Sequence, residues 1–437
     1  MKTTDRAKTT PTLFSALDQG MSPGRNLKGV ITPTPVLLTT RQPVVERYRT
    51  GGIPCASRLP SFFLPFLIGA LVWSGLRAPD ASFAAGEISP TGGVLAPAQQ
   101  KRVDQAVERA LAYIASQQKP DGSFCTYPTG ESGVTALCVL AYLSCGYLPG
   151  EGLYAKNIEA GIDYVISCQQ ESGLISLMPP APYWDYNNSA HTGTYNHAVS
   201  GLLLCEVYGM VGEEQCWRIP GVVKKALEFS RGRQTVRKTN RLDDGAWRYL
   251  APRLGVDADL SITSWQLMFW RSAKNAGFEV PSQWVDEAME YVRRCYNEQE
   301  QVFYYTIHGQ DYVYSRGMTG AGILTLALAG LHDTAMARNA GNWVLRHPFD
   351  RPRPTEHGYD RFYYAAFYCS QAMYQLGGNY WEQFYPTLAN TLVSNQRSGG
   401  SWDSSIEMDD EYGDVYVTAI SVLSLTPENQ LLPIFQR

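Results

Sequence analysis

The sequence predicts an all-α protein in which twelve helices form one closed ring, a single (α/α)6 toroid with six inner and six outer helices. Three observations lead to this prediction. One helix–turn–helix unit recurs six times, the first helix of each unit is amphipathic, and the second is apolar on nearly all sides. A helix that is apolar all round must be covered all round, and a closed ring of helix pairs covers its inner helices in this way.

Each unit begins with an amphipathic helix, continues through a polar turn with glycine and an aromatic residue, and ends with a helix rich in Ala, Thr and Leu. The six units span residues 110–147, 161–210, 226–277, 288–331, 337–378 and 388–425. Gly122 and Gly400 are expected to stop the first helix of their units in a left-handed backbone conformation. An open stack of helical hairpins is the alternative, but it needs polar end caps that are not obvious here.

The segment before the repeats divides into two parts. Residues 1–58 carry nine Lys or Arg against three Asp or Glu and have no long periodic apolar pattern, so we expect a disordered basic extension. Residues 59–76 are uncharged, and small residues follow up to Ala85. This pattern predicts a signal peptide or membrane anchor at 59–85; a buried core helix is a further alternative. We therefore expect export to the periplasm, the cell surface or the extracellular space, with possible membrane association through 59–76.

Composition narrows the functional classes. The 437 residues are 44% hydrophobic and 18% charged with a net charge of −4, which argues against a disordered chain and against a sequence-independent nucleic-acid binder. No C-x-x-C pair occurs among nine cysteines, so a zinc ribbon or a thioredoxin-like site is not expected. Aromatic residues make up 12% of the chain, which suits a large apolar pocket or a carbohydrate surface.

The repeat motifs carry a resemblance to a known superfamily. The phrases QQKPDGSF (117–124) and NQRSGGSW (395–402), each before an Ala- and Thr-rich helix, resemble the Gln–Trp repeats of the prenyltransferase and squalene cyclase superfamily, also described as prenyltransferase/squalene oxidase repeats. The resemblance covers about residues 100–430. It implies the α/α toroid of the terpenoid cyclases and protein prenyltransferases more than any one activity, because the same toroid also serves vitamin B12 carriers and complement thioester domains.

A partial acid motif lies in the third repeat. The segment 255–277 is similar to the region where bacterial squalene-hopene cyclases carry their D-x-D-D motif. Asp257 matches the first aspartate and Asp259 the second, which the resemblance implies is the proton donor, whereas Leu260 replaces the last. The resemblance therefore implies Asp259 and Asp257 as catalytic residues of a single-barrel relative.

Zinc of the protein prenyltransferase type is not expected. The resemblance to those β-subunits would require an Asp-x-Cys pair and a histidine that begins another inner helix. Asp257-Ala258-Asp259 has no Cys, and Asp360-Arg361-Phe362-Tyr363-Tyr364 has no His at the matching start. We therefore expect no metal and no cofactor.

The inner helices of such a ring run parallel, so their N-termini meet at one mouth of the cavity. Asp259 in an aromatic-walled cavity would have a raised pKa and could protonate an alkene or epoxide, but an aspartate that begins a helix is also a common N-cap. His197 is a candidate ligand-binding residue or a structural histidine. The candidate substrate-binding residues are His197, Trp265, Tyr363, Tyr364, Tyr416, Asp360 and Trp184.

Three functions remain open from the sequence. The first is an isoprenoid cyclase or isomerase that uses Asp259 as its acid. The second is a non-catalytic toroid that binds a hydrophobic ligand or a protein. The third is a polysaccharide-active enzyme, in which Asp259 and Asp360 would form the required carboxylate pair.

Overall fold

The computed structural model describes residues 93–352, 360–406 and 412–436. The predicted basic extension (1–58) and the signal or anchor segment (59–85) lie outside these residues. The described chain contains twelve α-helices, as predicted. They are α1 (Pro97–Ser116), α2 (Glu131–Ser144), α3 (Ala155–Ser167), α4 (Ser189–Val207), α5 (Glu213–Thr235), α6 (Leu260–Asn275), α7 (Ser282–Arg294), α8 (Arg316–Leu328), α9 (Ala335–Leu345), α10 (Phe362–Leu376), α11 (Gly378–Ser394) and α12 (Gly413–Leu425).

The even-numbered helices form a closed inner ring. Each packs against the next, from α2 through α4, α6, α8 and α10 to α12, and α12 returns to pack against α2. Every residue of α2 is buried, whereas the outer helix α7 buries only Ala288, Met289, Tyr291 and Val292. The helix α1 closes the outer layer by packing against α11 and α12. The predicted all-α toroid is therefore confirmed, and the open stack is excluded.

A glutamine at the end of an outer helix links neighbouring repeats. Gln118 Nε2 donates to the carbonyl of Gly122 in its own turn and to the carbonyl of Asn157 on the next outer helix, each at 2.9 Å. Gln396 makes the same pair of bonds, to Gly400 at 2.9 Å and across the ring closure to Ala106 at 2.8 Å. Gln169 and Gln234 repeat the arrangement. These bonds fix the spacing of the outer helices.

The turn glycines allow this close approach. Gly122 and Gly400 have φ of +91° and +93°, the left-handed conformation that the sequence predicted. A Cβ at either position would lie 2.3 Å from a carbonyl oxygen of the next outer helix, Ala160 or Arg109. The expectation that they stop the first helix is wrong in one respect: α1 already ends with Gln117 as its C-cap, and Gly122 lies within the turn that follows.

A second bond ties each turn to the helix after it. In four repeats a backbone N–H of the turn donates to a threonine hydroxyl in the first turns of the inner helix. The pairs are Phe124–Thr135, Trp247–Thr263, Phe303–Thr319 and Trp402–Thr418, at 3.2 to 3.4 Å. The fourth repeat keeps this bond although its turn is a two-stranded antiparallel hairpin, β1 (Tyr296–Asn297) with β2 (Val302–Phe303).

The C-terminal segment crosses the end of the ring where the inner helices finish. Asn429 Nδ2 donates to the carbonyl of Ser144 at the end of α2 (2.9 Å), and Gln375 near the end of α10 donates to the carbonyl of Phe435 (2.6 Å). The N–H of Ile434 donates to the buried carboxyl of Glu206 at the end of α4. This tail covers that end of the ring, so the candidate site is sought at the opposite end.

We predict that Gly400→Ala destabilises the toroid strongly, whereas Gly399→Ala does not. Alanine at 400 would combine an unfavourable φ with a clash against the carbonyl of Arg109, and we expect a loss of about 3 kcal/mol in the free energy of unfolding. Gly399 is exposed and a Cβ there meets nothing within 4 Å, so its change should stay within about 0.5 kcal/mol. Denaturant unfolding measures both, and equal losses would contradict the proposed role of the turn.

Candidate active site

The candidate site surrounds Asp259, where the N-termini of the inner helices meet. Asp259 is fully buried and is the N-cap of α6, with extended backbone and Oδ1 accepting the N–H of Ile262 at 2.8 Å. The expected N-cap role is therefore confirmed. It uses only one carboxyl oxygen. Within the described structure Oδ2 is buried without a hydrogen bond of good geometry, and the polar group that faces the carboxyl is the Tyr305 hydroxyl.

Burial shifts the acidity of this carboxyl. Loss of solvation raises the pKa of Asp259 to about 6, against the opposing influence of the Arg248 guanidinium, the Ile262 N–H and the Tyr305 hydroxyl. An acid with this pKa holds and releases a proton near neutral pH, which is what general acid catalysis requires. Oδ2 is the oxygen that would carry this proton, because Oδ1 accepts the capping N–H of Ile262.

Two tyrosines and an arginine form the wall beside Asp259. The hydroxyls of Tyr249 and Tyr305 lie 2.7 Å apart, and the Arg248 guanidinium carbon lies 4.9 Å and 5.5 Å from the centres of their rings. Arg248 also donates to the carbonyl of Ala258, the residue before Asp259. The backbone joins the group as well, because the N–H of Leu260 donates to the carbonyl of Tyr305 at 2.8 Å.

A second hydroxyl network crosses three inner helices. The Tyr195 hydroxyl donates to Ser261 Oγ at 3.0 Å, Ser261 Oγ lies 2.5 Å from the Tyr364 hydroxyl, and Trp265 Nε1 donates to that hydroxyl at 3.1 Å. Trp265 stacks on Phe367 with ring centres 5.3 Å apart. The structure therefore brings together the predicted residues Trp265 and Tyr364.

Tyr416 lies on α12 beside the same wall. Its ring is 5.2 Å from that of Tyr412. Burial, with smaller contributions from Tyr364, Tyr195 and Tyr416, raises the pKa of Tyr368, whose ring packs edge-on against Tyr364 at 5.0 Å. Tyr195, Tyr305 and Tyr364 keep accessible surface although they sit among packed helices. The tyrosines therefore line an interior space rather than fill it.

The long loop before α4 supplies the rim. The Arg253 guanidinium carbon lies 4.2 Å from the centre of the Trp184 ring, and Trp184 packs against Tyr249 at 5.7 Å. His191 lies edge-on to Tyr249 at 4.9 Å. Burial, and after it the nearby Arg361 guanidinium, lowers the pKa of His191 to about 4, so its imidazole is neutral at physiological pH. The prediction that Trp184 edges the mouth agrees with this geometry.

Asp257, predicted as catalytic, lies outside this cluster. Its carboxylate accepts the N–H of Thr239 at 2.6 Å. Partial burial would raise the pKa of Asp257, but the hydrogen bonds from Thr239 and the nearby Lys238 ammonium hold it below the usual range. An ionised carboxylate bound to Thr239 is a poor proton donor, so the structure gives Asp257 an environment that does not suit the role of an acid.

The structure does not place Asp360 and His197 where they could bind a substrate, as the sequence had predicted. Asp360 is buried in an ion pair with Arg316 at 2.6 Å, which joins α8 to the start of α10, so it is not available to substrate or as a partner of Asp259. His197 is fully buried: Nδ1 accepts the N–H of Ile175 and Nε2 lies 3.1 Å from the carbonyl of Ala226. It takes the place that threonine has in the other repeats, and both of its nitrogens are used.

Tyr363 lies beside Phe362 in the first turn of α10. It is buried with its ring edge-on to Phe362, 5.3 Å away. Trp270, which could have supplied another aromatic face, packs between Trp247 and Trp284 on the side of α6 that meets α7. Both rings belong to the packing between helices.

Five residues of the site were missed from the sequence: Arg248, Tyr249, Arg253, Tyr305 and Asp311. A signal for two of them was present. Tyr249 follows Trp247 by two residues, and Tyr305 follows Phe303 by two residues, in equivalent turns of the third and fourth repeats. Alignment of the repeats on these aromatic residues would have placed both tyrosines beside the start of α6.

Two further findings concern the described residues. They contain no group of three His, Cys, Asp or Glu side chains that could hold a metal ion. Among the same residues, no helix is both long enough and apolar enough to cross a membrane.

Comparison with known proteins identifies the fold. No protein-family profile and no curated protein matches the sequence. The type II terpene cyclase MstE from Scytonema, solved as an Asp-to-Asn variant with geranylgeranyl dihydroxybenzoate, is similar with a TM-score of 0.51 and 13% identity over 78% of this chain and 100% of that chain. The GH76A α-1,6-mannanase from Salegentibacter, solved as an inactive variant with α-1,6-mannotriose, is similar with a TM-score of 0.54 and 10% identity over 75% and 99%.

These likenesses confirm the α/α toroid fold. At such identities they establish the fold alone, because the same architecture carries an isoprenoid cyclase in one case and a mannanase in the other. Function must therefore be argued from the site.

We predict that Asp259→Asn changes how stability depends on pH. The folded-state pKa of about 6 exceeds the unfolded value of about 3.9, so the stability that this group contributes is present near pH 4 and lost as the pH rises through 6. Relative to the variant, the wild type should lose up to about 3 kcal/mol between pH 4 and 7. Urea unfolding across that range measures it, and a difference between the two proteins that stays constant with pH would contradict the raised pKa.

Proposed function

We propose that this protein is an acid-initiated isoprenoid cyclase or isomerase with Asp259 as the general acid. The observation that carries the proposal is the buried Oδ2 of Asp259, which is not used for capping and lies among the side chains of Tyr195, Tyr249 and Tyr305. The protonated carboxyl would transfer its proton to a carbon–carbon double bond or an epoxide, leaving a carbocation on the substrate and a carboxylate on the protein.

The aromatic residues suit the second half of such a reaction. A carbocation is stabilised by the faces of aromatic rings, by about 0.5–2 kcal/mol for each cation–ring contact. Trp265, Tyr364 and Tyr416 lie on the three inner helices α6, α10 and α12. Ring closure or loss of a proton from a neighbouring carbon would then end the reaction, with the proton passing to water or to a carboxylate.

The arrangement around Asp259 compensates for the leucine at position 260. The resemblance to the cyclases implies that the last aspartate of the motif helps to position the acid. In this chain Tyr305 faces the carboxyl, and its backbone carbonyl is bonded to Leu260. We infer that Tyr305, supported by Tyr249, positions the Asp259 proton.

A polysaccharide-active enzyme is the second candidate. The observation that favours it is the polar aromatic rim, where Trp184 and Arg253 lie near a second carboxylate, Asp311. Glycoside hydrolysis requires two carboxyl groups on opposite sides of the bond. Asp311 is held by two arginines and Asp360 by Arg316, so among the described residues of the site Asp259 is the carboxyl that remains free to act. We therefore give the glycan function as the second candidate.

A toroid that binds a hydrophobic ligand or a protein without chemistry is the third candidate. The same aromatic space would hold the ligand, and Asp259 would serve as a helix cap alone. Export, which the segment 59–85 predicts, is part of all three proposals and is compatible with each.

We predict that Asp259→Asn abolishes turnover of an isoprenoid substrate and that Asp257→Asn does not. The first change keeps a capping oxygen but removes the acidic proton, so we expect a loss of at least about 100-fold in kcat. Asp257 lies two residues away, and its carboxylate accepts hydrogen bonds from Thr239, which the asparagine side-chain oxygen can also accept. A screen of polyprenyl alcohols, acids and epoxides with product analysis measures both. Equal activity of Asp259→Asn and wild type would contradict the mechanism, and turnover of glycans alone would support the second candidate.

A further inference from the structure

Charged side chains gather on one wall of the mouth. Arg248 and Arg253 both donate to the same oxygen of Asp311, each at 2.6 Å. The Arg248 side chain is 3% exposed, and its Nε is buried without a hydrogen-bond partner among the described residues. Two guanidinium groups therefore share one carboxylate, and one strong donor of the deeper arginine is unused.

Asp259 is the second carboxyl that can balance these two positive charges. It lies close enough to Arg248 and Asp311 for both to change its proton affinity. The other groups that face Asp259 are neutral, because burial raises the pKa values of the surrounding phenols and of a nearby thiol. They are Tyr195, Tyr249, Tyr305 and Tyr364 at the mouth, and Tyr291 and Cys295 toward α7.

Two more charges lie at the edge of this group. Asp257 faces Arg248 from the outer side but is already bound to Thr239 and close to Lys238. Arg361 lies near the neutral His191 at the rim. The wall between Arg248 and Arg253 is thus neutral overall only when Asp259 is ionised. Buried charges are strongly disfavoured without a counter-charge, so an anion that binds at this wall would replace the Asp259 carboxylate as the partner of the arginines.

We propose that the mouth binds the carboxylate head group of an acidic isoprenoid between Arg248 and Arg253, and that this binding draws one proton from solvent onto Asp259. The choice of an isoprenoid tail rests on the proposed function, whereas the choice of an anionic head group rests on the two arginines alone. Guanidinium groups bind carboxylate and phosphate through paired charge-assisted hydrogen bonds, and the Nε of Arg248 supplies a free donor. Through this coupling, Asp259 becomes protonated when a substrate with a carboxylate head group binds.

The coupling is a linkage between two sites of one cavity. Proton uptake on binding means that the ligand binds more tightly as the pH falls, and equally that the bound ligand raises the proton affinity of Asp259. A neutral isoprenoid of the same length lacks the counter-charge, so it should bind without taking up a proton.

Isothermal titration calorimetry of the purified chain tests this without any turnover. The probes are geranylgeranoic acid, geranylgeranyl monophosphate and the neutral alcohol geranylgeraniol, each titrated near pH 7 in buffers of different ionisation enthalpy. We expect the acid to bind at least tenfold more tightly than the alcohol and to take up close to one proton. A preference for the monophosphate over the acid would overturn the choice of carboxylate.

Three variants separate the parts of the inference. Asp259→Asn should bind the acid but take up no proton. Arg253→Gln should lose the preference for the acid over the alcohol, whereas Arg218→Gln, in an exposed pair with Asp163 on the outer layer, should keep it. Equal affinity for acid and alcohol in the wild type would overturn the anion site while leaving the proposed function intact. Tight binding of the acid without proton uptake would overturn the coupling. Binding of neither the acid nor the alcohol would overturn both the anion site and the proposed function.

Discussion

The bonds between each turn and its neighbouring helices are the constraint on which the ring depends. A turn glycine with left-handed backbone brings the chain against the next outer helix, a glutamine bridges the two, and an N–H of the turn is held by a threonine of the inner helix. The N–H of Asp259 donates to the carbonyl of Trp247 in such a turn. The same bonds that close the ring therefore also place Arg248 and Tyr249 beside the acid.

Most of the fold could be predicted because it is repetitive. Six recurrences of one pattern, with inner helices apolar on all sides, leave few arrangements that bury them, and all twelve predicted helices occur. The outer helices α1, α5 and α11 begin at Pro97, Glu213 and Gly378, well before the repeat units that predicted them. The function of the turn glycine could not be predicted fully. Its left-handed φ follows from local sequence, but its contact with the next outer helix depends on two repeats being neighbours in space.

The site was less predictable than the fold because its members come from different repeats. Asp259, Trp265 and Tyr364 were found from helix starts and aromatic residues, whereas Asp360 and His197 had the same sequence signals and a different use. A charged or polar side chain at a helix start either faces the cavity or bonds to the neighbouring helix. Its direction decides between the two, and a single sequence does not give that direction. Tyr305 and Arg248 lie in turns, where the pattern of inner helices gives no guidance.

Deuterium incorporation tests the central claim, that Asp259 donates the proton that starts the reaction, most directly. The carboxyl proton exchanges with solvent, so in heavy water the acid carries deuterium before it meets the substrate. Mass spectrometry of the product formed from a polyprenyl alcohol or acid without an epoxide, in which the proton goes to a carbon–carbon double bond, should find one deuterium on carbon for each initiating protonation in the wild type, and no product with Asp259→Asn. A product that forms from such a substrate in heavy water without deuterium on carbon would contradict the account.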